Sequence, residues 1–322
     1  MQRQLYIECM QKYNNEIDIT WQELAEKYGI STGKILSDRW QRIKDKVDPI
    51  LEEDGVMGET PCFQKNKNAP KILIFDIETH LKNAKLFRHG KQYVNASSFS
   101  DYDSMICWSA KWVGDNEVFG DVQTSTEAVE RDNSRVTKSL WDALSSADLT
   151  VSHNGINFDL PMVNTFFIEN RLGLPNFFRN IDTCSIARKN FKFESNSLDH
   201  ICKRLGINDG KMDTSIELWE KCYVGEKESL SYMFEYNQMD VTVLEDLYNV
   251  FLPYIPSFPN LGVWGDVTQA KCPYCGSTNF EEKGYKYTPS GKFNSYRCEC
   301  QALFRSKENL LSKEFKKLQM VT

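Results

Sequence analysis

The stretch Lys71-Ile72-Leu73-Ile74-Phe75-Asp76-Ile77-Glu78-Thr79 constrains this chain more than any other. Its apolar, β-branched run reads as a buried strand, and the run closes on two acids one residue apart. Positions i and i+2 of a strand share a face, so Asp76 and Glu78 point the same way beside a core. Two unpaired carboxylates in that position suffer desolvation and mutual repulsion. A divalent cation between them removes both penalties. The same letters also fit a strand that runs out into a charged loop, so the metal reading depends on further acids arriving at this place.

At 322 residues the chain has room for one large domain or a few small ones. No apolar run approaches the length of a membrane span, and the polar N-terminus has no signal-peptide pattern, so a cytoplasmic protein without membrane partners is expected. A net charge of −6 means that contact with nucleic acid has to use local basic patches. Of ten cysteines, Cys9, Cys62, Cys107, Cys184, Cys202 and Cys222 stand singly and read as core thiols. The other four crowd into the last fifth of the chain.

Residues 1–50 read as a small helical unit. Thr20-Trp21-Gln22-Glu23 fits a capping box opening a helix through Lys27. Gly29 breaks it, and Ser31 caps a second helix to about Lys46. Helix, short turn and helix give a helix-turn-helix outline. Lys34, Arg39, Arg42, Lys44 and Lys46 then either meet DNA or form the solvated basic face of a helical hairpin. Residues 51–70 lack periodicity and read as a linker.

After the organising strand comes a loop over 81–103 holding Lys85, Arg88, His89 and Lys91. Strands are expected over Met105 to Val113 and Glu117 to Thr124, joined by a turn at Gly114-Asp115-Asn116. A helix over Val136 to Ser146 leads to a strand from Leu149 to His153. Three meandering strands followed by alternating strands and helices predict a mixed α/β sheet.

Further acids then appear. His153-Asn154-Gly155-Ile156-Asn157-Phe158-Asp159 precedes an amphipathic helix to about Leu172, and Asp159 at its start fits either a cap or a ligand. Asp182 and Thr183 lead into an Arg- and Phe-containing turn. A helix with Leu198, Ile201, Cys202 and Leu205 inward closes at Gly206. A long helix from about Leu230 to Phe251 carries Tyr236 and Asp240 on one face, with Asp240 set among the apolar residues of its buried stripe.

The ordered set Asp76-x-Glu78, Asn154 to Phe158-Asp159, and Tyr236-x-x-x-Asp240 resembles the three motifs of the DEDD exonuclease superfamily. The tyrosine of the third motif resembles the DEDDy branch, as in proofreading domains of family B polymerases. Residues from about 70 to 305 are similar to tailed-phage 3′-5′ exonucleases with a ribonuclease H-like fold and a C-terminal zinc ribbon. The resemblance implies a five-stranded mixed sheet over 71–256 with flanking helices. It also implies that Asp76, Glu78, Asp159 and Asp240 hold two Mg²⁺ or Mn²⁺ ions, hard cations that suit oxygen ligands. Asp76 would bridge the two, Tyr236 would orient the attacking water, and Asn154 would bind near the terminal nucleotide. His153 reads as a packed or hydrogen-bonded strand end, and Phe158 as core packing.

Cys272-Pro273-Tyr274-Cys275 opens the last unit, 257–322, and Cys298-Glu299-Cys300 follows a hairpin pattern. Four thiolates on two turns suit one tetrahedral structural Zn²⁺. Cys-x-Cys departs from the usual Cys-x-x-Cys of a ribbon, and free thiols in a reducing cell are the alternative. Lys283, Tyr285, Lys286, Tyr287, Lys292, Tyr296, Arg297 and Arg305 interleave charge with aromatics, as phosphate contact plus base stacking requires. A ribbon docked on the rest of the chain or on another protein fits as well.

These readings converge on a metal-dependent 3′-5′ exonuclease of DNA, acting on single strands or 3′ ends, with a replication polymerase as a possible partner. An RNA exonuclease of ribonuclease D-like type, and a non-catalytic DNA-binding protein on a relic fold, are the alternatives.

Overall fold

The computed structural model describes residue 12 and residues 19–27, 70–86, 93–176, 179–207, 212, 214–255, 258–264 and 268–318. Two compact units, Met1–Thr60 and Pro61–Thr322, make up the chain. In the first, helix α1 (Trp21–Lys27) opens on the expected capping box. The Thr20 hydroxyl accepts from the Glu23 N–H, and the Glu23 carboxylate accepts from the Thr20 N–H. The second helix of the helix-turn-helix outline, the linker up to residue 69, Arg88, His89 and Lys91 lie outside the described residues.

The second unit is built on a five-stranded sheet in the order β3-β2-β1-β4-β5. Its strands are β1 (Ile72–Thr79), β2 (Met105–Trp112), β3 (Val118–Val122), β4 (Leu149–Ser152) and β5 (Arg179–Asp182). β1 is central, antiparallel to β2 and parallel to β4, so the mixed sheet expected from the sequence is present. Alternation along β1 divides the core. Leu73, Phe75 and Ile77 join Val136, Leu140, Leu144, Val163, Phe166 and Phe167, contributed by α3 (Ser134–Ser145) and α4 (Asp159–Glu169). Ile72 and Ile74 face the other way, toward Val241, Leu244, Leu247, Tyr248 and Phe251 of the long helix α8 (Lys227–Phe251). Truncating one of these buried leucines to Ala costs about 2–5 kcal/mol.

Four elements depart from expectation. Thr124 and Glu127 form a full capping box on α2 (Ser125–Glu130), a signal present in the sequence. The expected turn after Asp182 is helix α5 (Thr183–Asn190), capped by the Asp182 side chain. After α6 (Leu198–Leu205), which ends as expected on left-handed Gly206, comes α7 (Ile216–Tyr223), which packs with α8 through buried Cys222, Leu230 and Met233. The last unit has three strands, β6 (Phe280–Thr288), β7 (Gly291–Cys298) and the short β8 (Leu303–Arg305).

That last sheet is docked on the second unit's core. Cys272, Cys298, Cys300 and Ala302 belong to the same apolar cluster as Leu244, Tyr248 and Phe251. The single cysteines Cys107, Cys184, Cys202 and Cys222 are buried free thiols, as expected; Cys9 and Cys62 lie outside the described residues.

Candidate active site and metal centre

Asp76 and Glu78 occupy the same side of β1 as Ile72 and Ile74, so they project toward α8. α8 answers with Asp240. Ligand oxygens of Asp76, Glu78 and Asp240 all lie within 4.8 Å of one another. Asp159 comes from the first turn of α4. β1 and β4 pair through Ile74↔Val151, and beyond that pair the Asp159 carboxylate stands near the Ile77 backbone, whose N–H helps to stabilise its ionised form. Asp159 is only 2% exposed and its Oδ1 makes no hydrogen bond among the described residues.

The electrostatics follow from that convergence. Burial, then the charges of Asp159, Glu78 and Asp240, pushes the Asp76 carboxyl well above its ordinary range, against one opposing hydrogen bond from Asn237. Glu78 rises to about 8, through burial and then Asp240 and Asp159. Asp159 rises to about 7 and Asp240 to about 6, each mainly through burial. A packed protein does not keep such acids together without a cation or a shared proton. The buried, unpartnered Asp159 oxygen and three acids within ligand reach fit hard divalent cations such as Mg²⁺ or Mn²⁺.

Tyr236 lies one turn before Asp240, with its hydroxyl close enough to that carboxylate to lower the Asp240 pKa against the effect of burial. Its ring packs edge-on against Trp219, 6.5 Å between centroids. Burial and the neighbouring acids hold the phenol well above its usual pKa, so this hydroxyl is a donor.

The loop between β4 and α4 is shaped by an acid whose part in the site sequence reading missed. Buried Asp182 accepts from the N–H groups of Asn154 (3.0 Å), Ile156 (3.1 Å) and Ser185 (3.1 Å). It therefore caps α5 and fixes the Asn154 turn at once. Asn154 adopts left-handed φ of 66°, and its Oδ1 accepts from Asn157 and from the exposed Arg188. At Gly155 an added Cβ would stand 2.0 Å from Ser152 Oγ and 2.6 Å from Ser152 Cβ, so any side chain would displace Ser152 at the end of β4.

His153 is the expected hydrogen-bonded strand end: its ring meets Thr183 Oγ1 at 2.9 Å and the Asn196 carbonyl at 2.8 Å. Phe158 is a correction. It is 41% exposed, beside Ile156 at 50%, and not core packing. It precedes α4 at the N-cap position with φ −127° and ψ −72°, so it lies outside the inward stripe of the helix. Asn237, also missed, is fully buried and donates to Asp76 Oδ2 at 2.7 Å.

The four ribbon cysteines form a second cluster, with all sulfurs within 4.8 Å. Cys272 and Cys300 are 3.8 Å apart, and Cys275 and Cys298 3.5 Å. A tetrahedral ion with Zn–S bonds of about 2.3 Å has sulfur–sulfur edges of about 3.8 Å, so the cluster fits Zn²⁺. The short Cys-x-Cys knuckle is closed by Gln301 at φ 65°, with Gln301 N–H donating to Cys298 O and Cys298 N–H to Ala302 O. Gly276 at φ 74° turns the other knuckle.

Among solved structures, the chain is similar to a family B DNA polymerase from the hyperthermophilic archaeon Pyrobaculum calidifontis, at 16% identity and a TM-score of 0.43. The match covers 57% of this chain and 25% of that one, so this chain's likeness spans about a quarter of the polymerase. No curated protein sequence matches. No helix among the described residues is long and apolar enough to cross a membrane. Residues 73–252, more than half of the chain and including Asp76, Glu78, Asp159, Tyr236 and Asp240, match the family model RNase_H_2 of the RNase H superfamily. The chain belongs to the RNase H superfamily.

Proposed function

We propose that this protein is a metal-dependent 3′-5′ exonuclease that hydrolyses DNA from single-stranded 3′ ends. The observation that carries the reading is the approach of Asp76, Glu78 and Asp240 to within 4.8 Å, with Asp159 buried against them. Asp76, Glu78, Asp159 and Asp240 would hold a pair of Mg²⁺ or Mn²⁺ ions. When bound, such ions supply charge stabilisation for the entering and leaving oxygens of an in-line phosphodiester displacement.

The chain's own groups do the positioning. Tyr236, set against Asp240, presents a protonated hydroxyl whose oxygen would accept from the attacking water and so orient it. Asn154 and Arg188, joined by a hydrogen bond at 3.4 Å, stand on the loop side of the acids, where they would bind the terminal nucleotide. Exposed Phe158 and Ile156 offer an apolar surface beside Asp159 for a terminal base. His153, spent on Thr183 and Asn196, takes no part. The Cys272-Cys275-Cys298-Cys300 cluster would hold one Zn²⁺ and fasten the ribbon to α8. Association with a replication polymerase, action in the cytoplasm of a phage-infected cell, and DNA contact by the basic residues of 1–50 belong to the same reading.

Matched DNA and RNA oligonucleotides, labelled in turn at each end, test it. With Mn²⁺ the 5′-labelled DNA shortens stepwise, the 3′ label leaves as a mononucleotide, and RNA is spared. Loss of nucleotides from the 5′ end, or faster digestion of RNA, overturns the assignment.

A further inference from the structure

The hairpin of β6 and β7 carries a surface that neither its zinc site nor its packing uses. The ribbon's own core absorbs several of its aromatic and basic residues. Tyr296 stacks with Phe304 and meets Phe280 edge-on. Arg305 covers Phe293, and Lys283 pairs with Glu281. Tyr285 and Tyr287 are left 52% and 68% exposed. They sit on one face of β6, and their register partners across β7 are Asn294 and Lys292. A register shift between Glu282 and Tyr285, made at Gly284 with φ 91°, is what resets the alternation and turns both rings to that face. The Lys292 ammonium lies 3.7 Å from the Tyr285 centroid and 5.9 Å from that of Tyr287. It has no carboxylate partner among the described residues.

We infer that this Tyr285-Tyr287-Lys292 face binds a single-stranded nucleic acid, with the rings stacking on successive bases and Lys292 meeting a phosphate. Charge selects the partner. Residues 268–318 hold ten lysines and arginines against five glutamates, in a chain whose net charge is −6. Spacing selects the form. Two residues apart on a strand, the tyrosines stand about 6.6 Å from each other, near twice the ~3.4 Å rise of a duplex strand. That interval suits bases of an extended, unstacked strand and not the stacked bases of a duplex. Aromatics that stack without hydrogen-bond readout accept any base, as an enzyme that consumes its substrate one nucleotide after another requires. The inference extends the exonuclease reading and rests on it for the source of the strand.

The test uses the full-length, zinc-loaded protein and fluorescence anisotropy with a labelled oligothymidine of about 20 nucleotides, without added Mg²⁺ or Mn²⁺. Tyr285→Ala/Tyr287→Ala weakens binding by about ten- to a hundredfold, whereas Tyr285→Phe/Tyr287→Phe keeps it within twofold. Lys292→Ala lowers the steepness of the salt dependence by about one counterion. Zinc content is unchanged in all three variants. In a separate assay with Mn²⁺ added, a trinucleotide is cleaved by the alanine variant at the wild-type rate. Undiminished binding of the long strand by the alanine variant overturns the inference, as does an equal loss on duplex DNA. If wild-type protein binds the strand through these tyrosines yet leaves the trinucleotide intact, the exonuclease reading fails and the binding face stands.

Discussion

Asn237 Nδ2 donates to Asp76 Oδ2 across 2.7 Å, tying the long helix α8 to the central strand at the point where the acids meet. Asn237 is fully buried, and its Oδ1 has no partner among the described residues. Its amide is the one hydrogen bond that opposes the upward shift of Asp76. Asn237→Ala therefore leaves Asp76 with less support for its ionised form and weakens divalent-ion binding. It should also destabilise the fold by about 1–3 kcal/mol. Asn237→Asp adds a further carboxylate and destabilises the metal-free protein more, with Mn²⁺ restoring part of the loss. Thermal melts with and without Mn²⁺ check both variants.

The acid cluster sets the pH dependence of the metal-free fold. Asp76, Glu78, Asp159 and Asp240 all have folded-state pKa values above their unfolded ones. The folded chain thus binds more protons, and the stability these groups contribute is complete below about pH 4 and lost as pH rises. For Glu78 the loss extends to about pH 8. Mn²⁺ should flatten this decline, and Asp240→Asn should reduce it without metal. Melting temperatures between pH 5 and 8.5 make the comparison; a metal-free fold that gains stability across that range contradicts the account.

Much of this arrangement is legible in the sequence. β1 announces itself because a β-branched apolar run cannot be solvated, and the period of two then puts Asp76 and Glu78 on one face. Cys272, Cys275, Cys298 and Cys300 are legible because thiols grouped on two turns have few uses. Asn237 is not, since an amide between Tyr236 and Asp240 reveals its burial only once the facing strand is known. Asp182 reads as any acid near a strand end until three N–H groups close on it. Phe158 reads as core in the sequence because its hydrophobicity does not say which way the chain turns before α4. β8 is too short to show a period.

Tyr236 should act by orienting the attacking water, not as a base. Tyr236→Phe removes the hydroxyl held by Asp240 while keeping the ring against Trp219. Turnover should fall by about ten- to a hundredfold or more, with little change in Mn²⁺ affinity or melting temperature. Because the phenol is held well above its usual pKa, wild-type rate profiles up to pH 9.5 should show no ionisation that Tyr236→Phe abolishes. An alkaline limb lost with the hydroxyl would make Tyr236 a base instead.

The ribbon metal should stabilise more than the ribbon. Cys272, Cys298 and Cys300 share a core with Leu244, Tyr248 and Phe251 of α8, the helix that also carries Asp240. Cys300→Ser should remove about one zinc per chain and lower the melting temperature by roughly 5 °C or more. Elemental analysis and calorimetry check this, and a variant that keeps its zinc and its melting temperature refutes it.

The most direct measurement is a calorimetric titration of the zinc-loaded protein with Mn²⁺ at pH 8, beside the same titration of Asp76→Asn. We expect about two Mn²⁺ per wild-type chain, and loss of that uptake in the variant together with all nucleotide release. Wild-type protein that takes up no Mn²⁺, or a variant that binds it unchanged, would contradict the assignment of these carboxylates to a metal site.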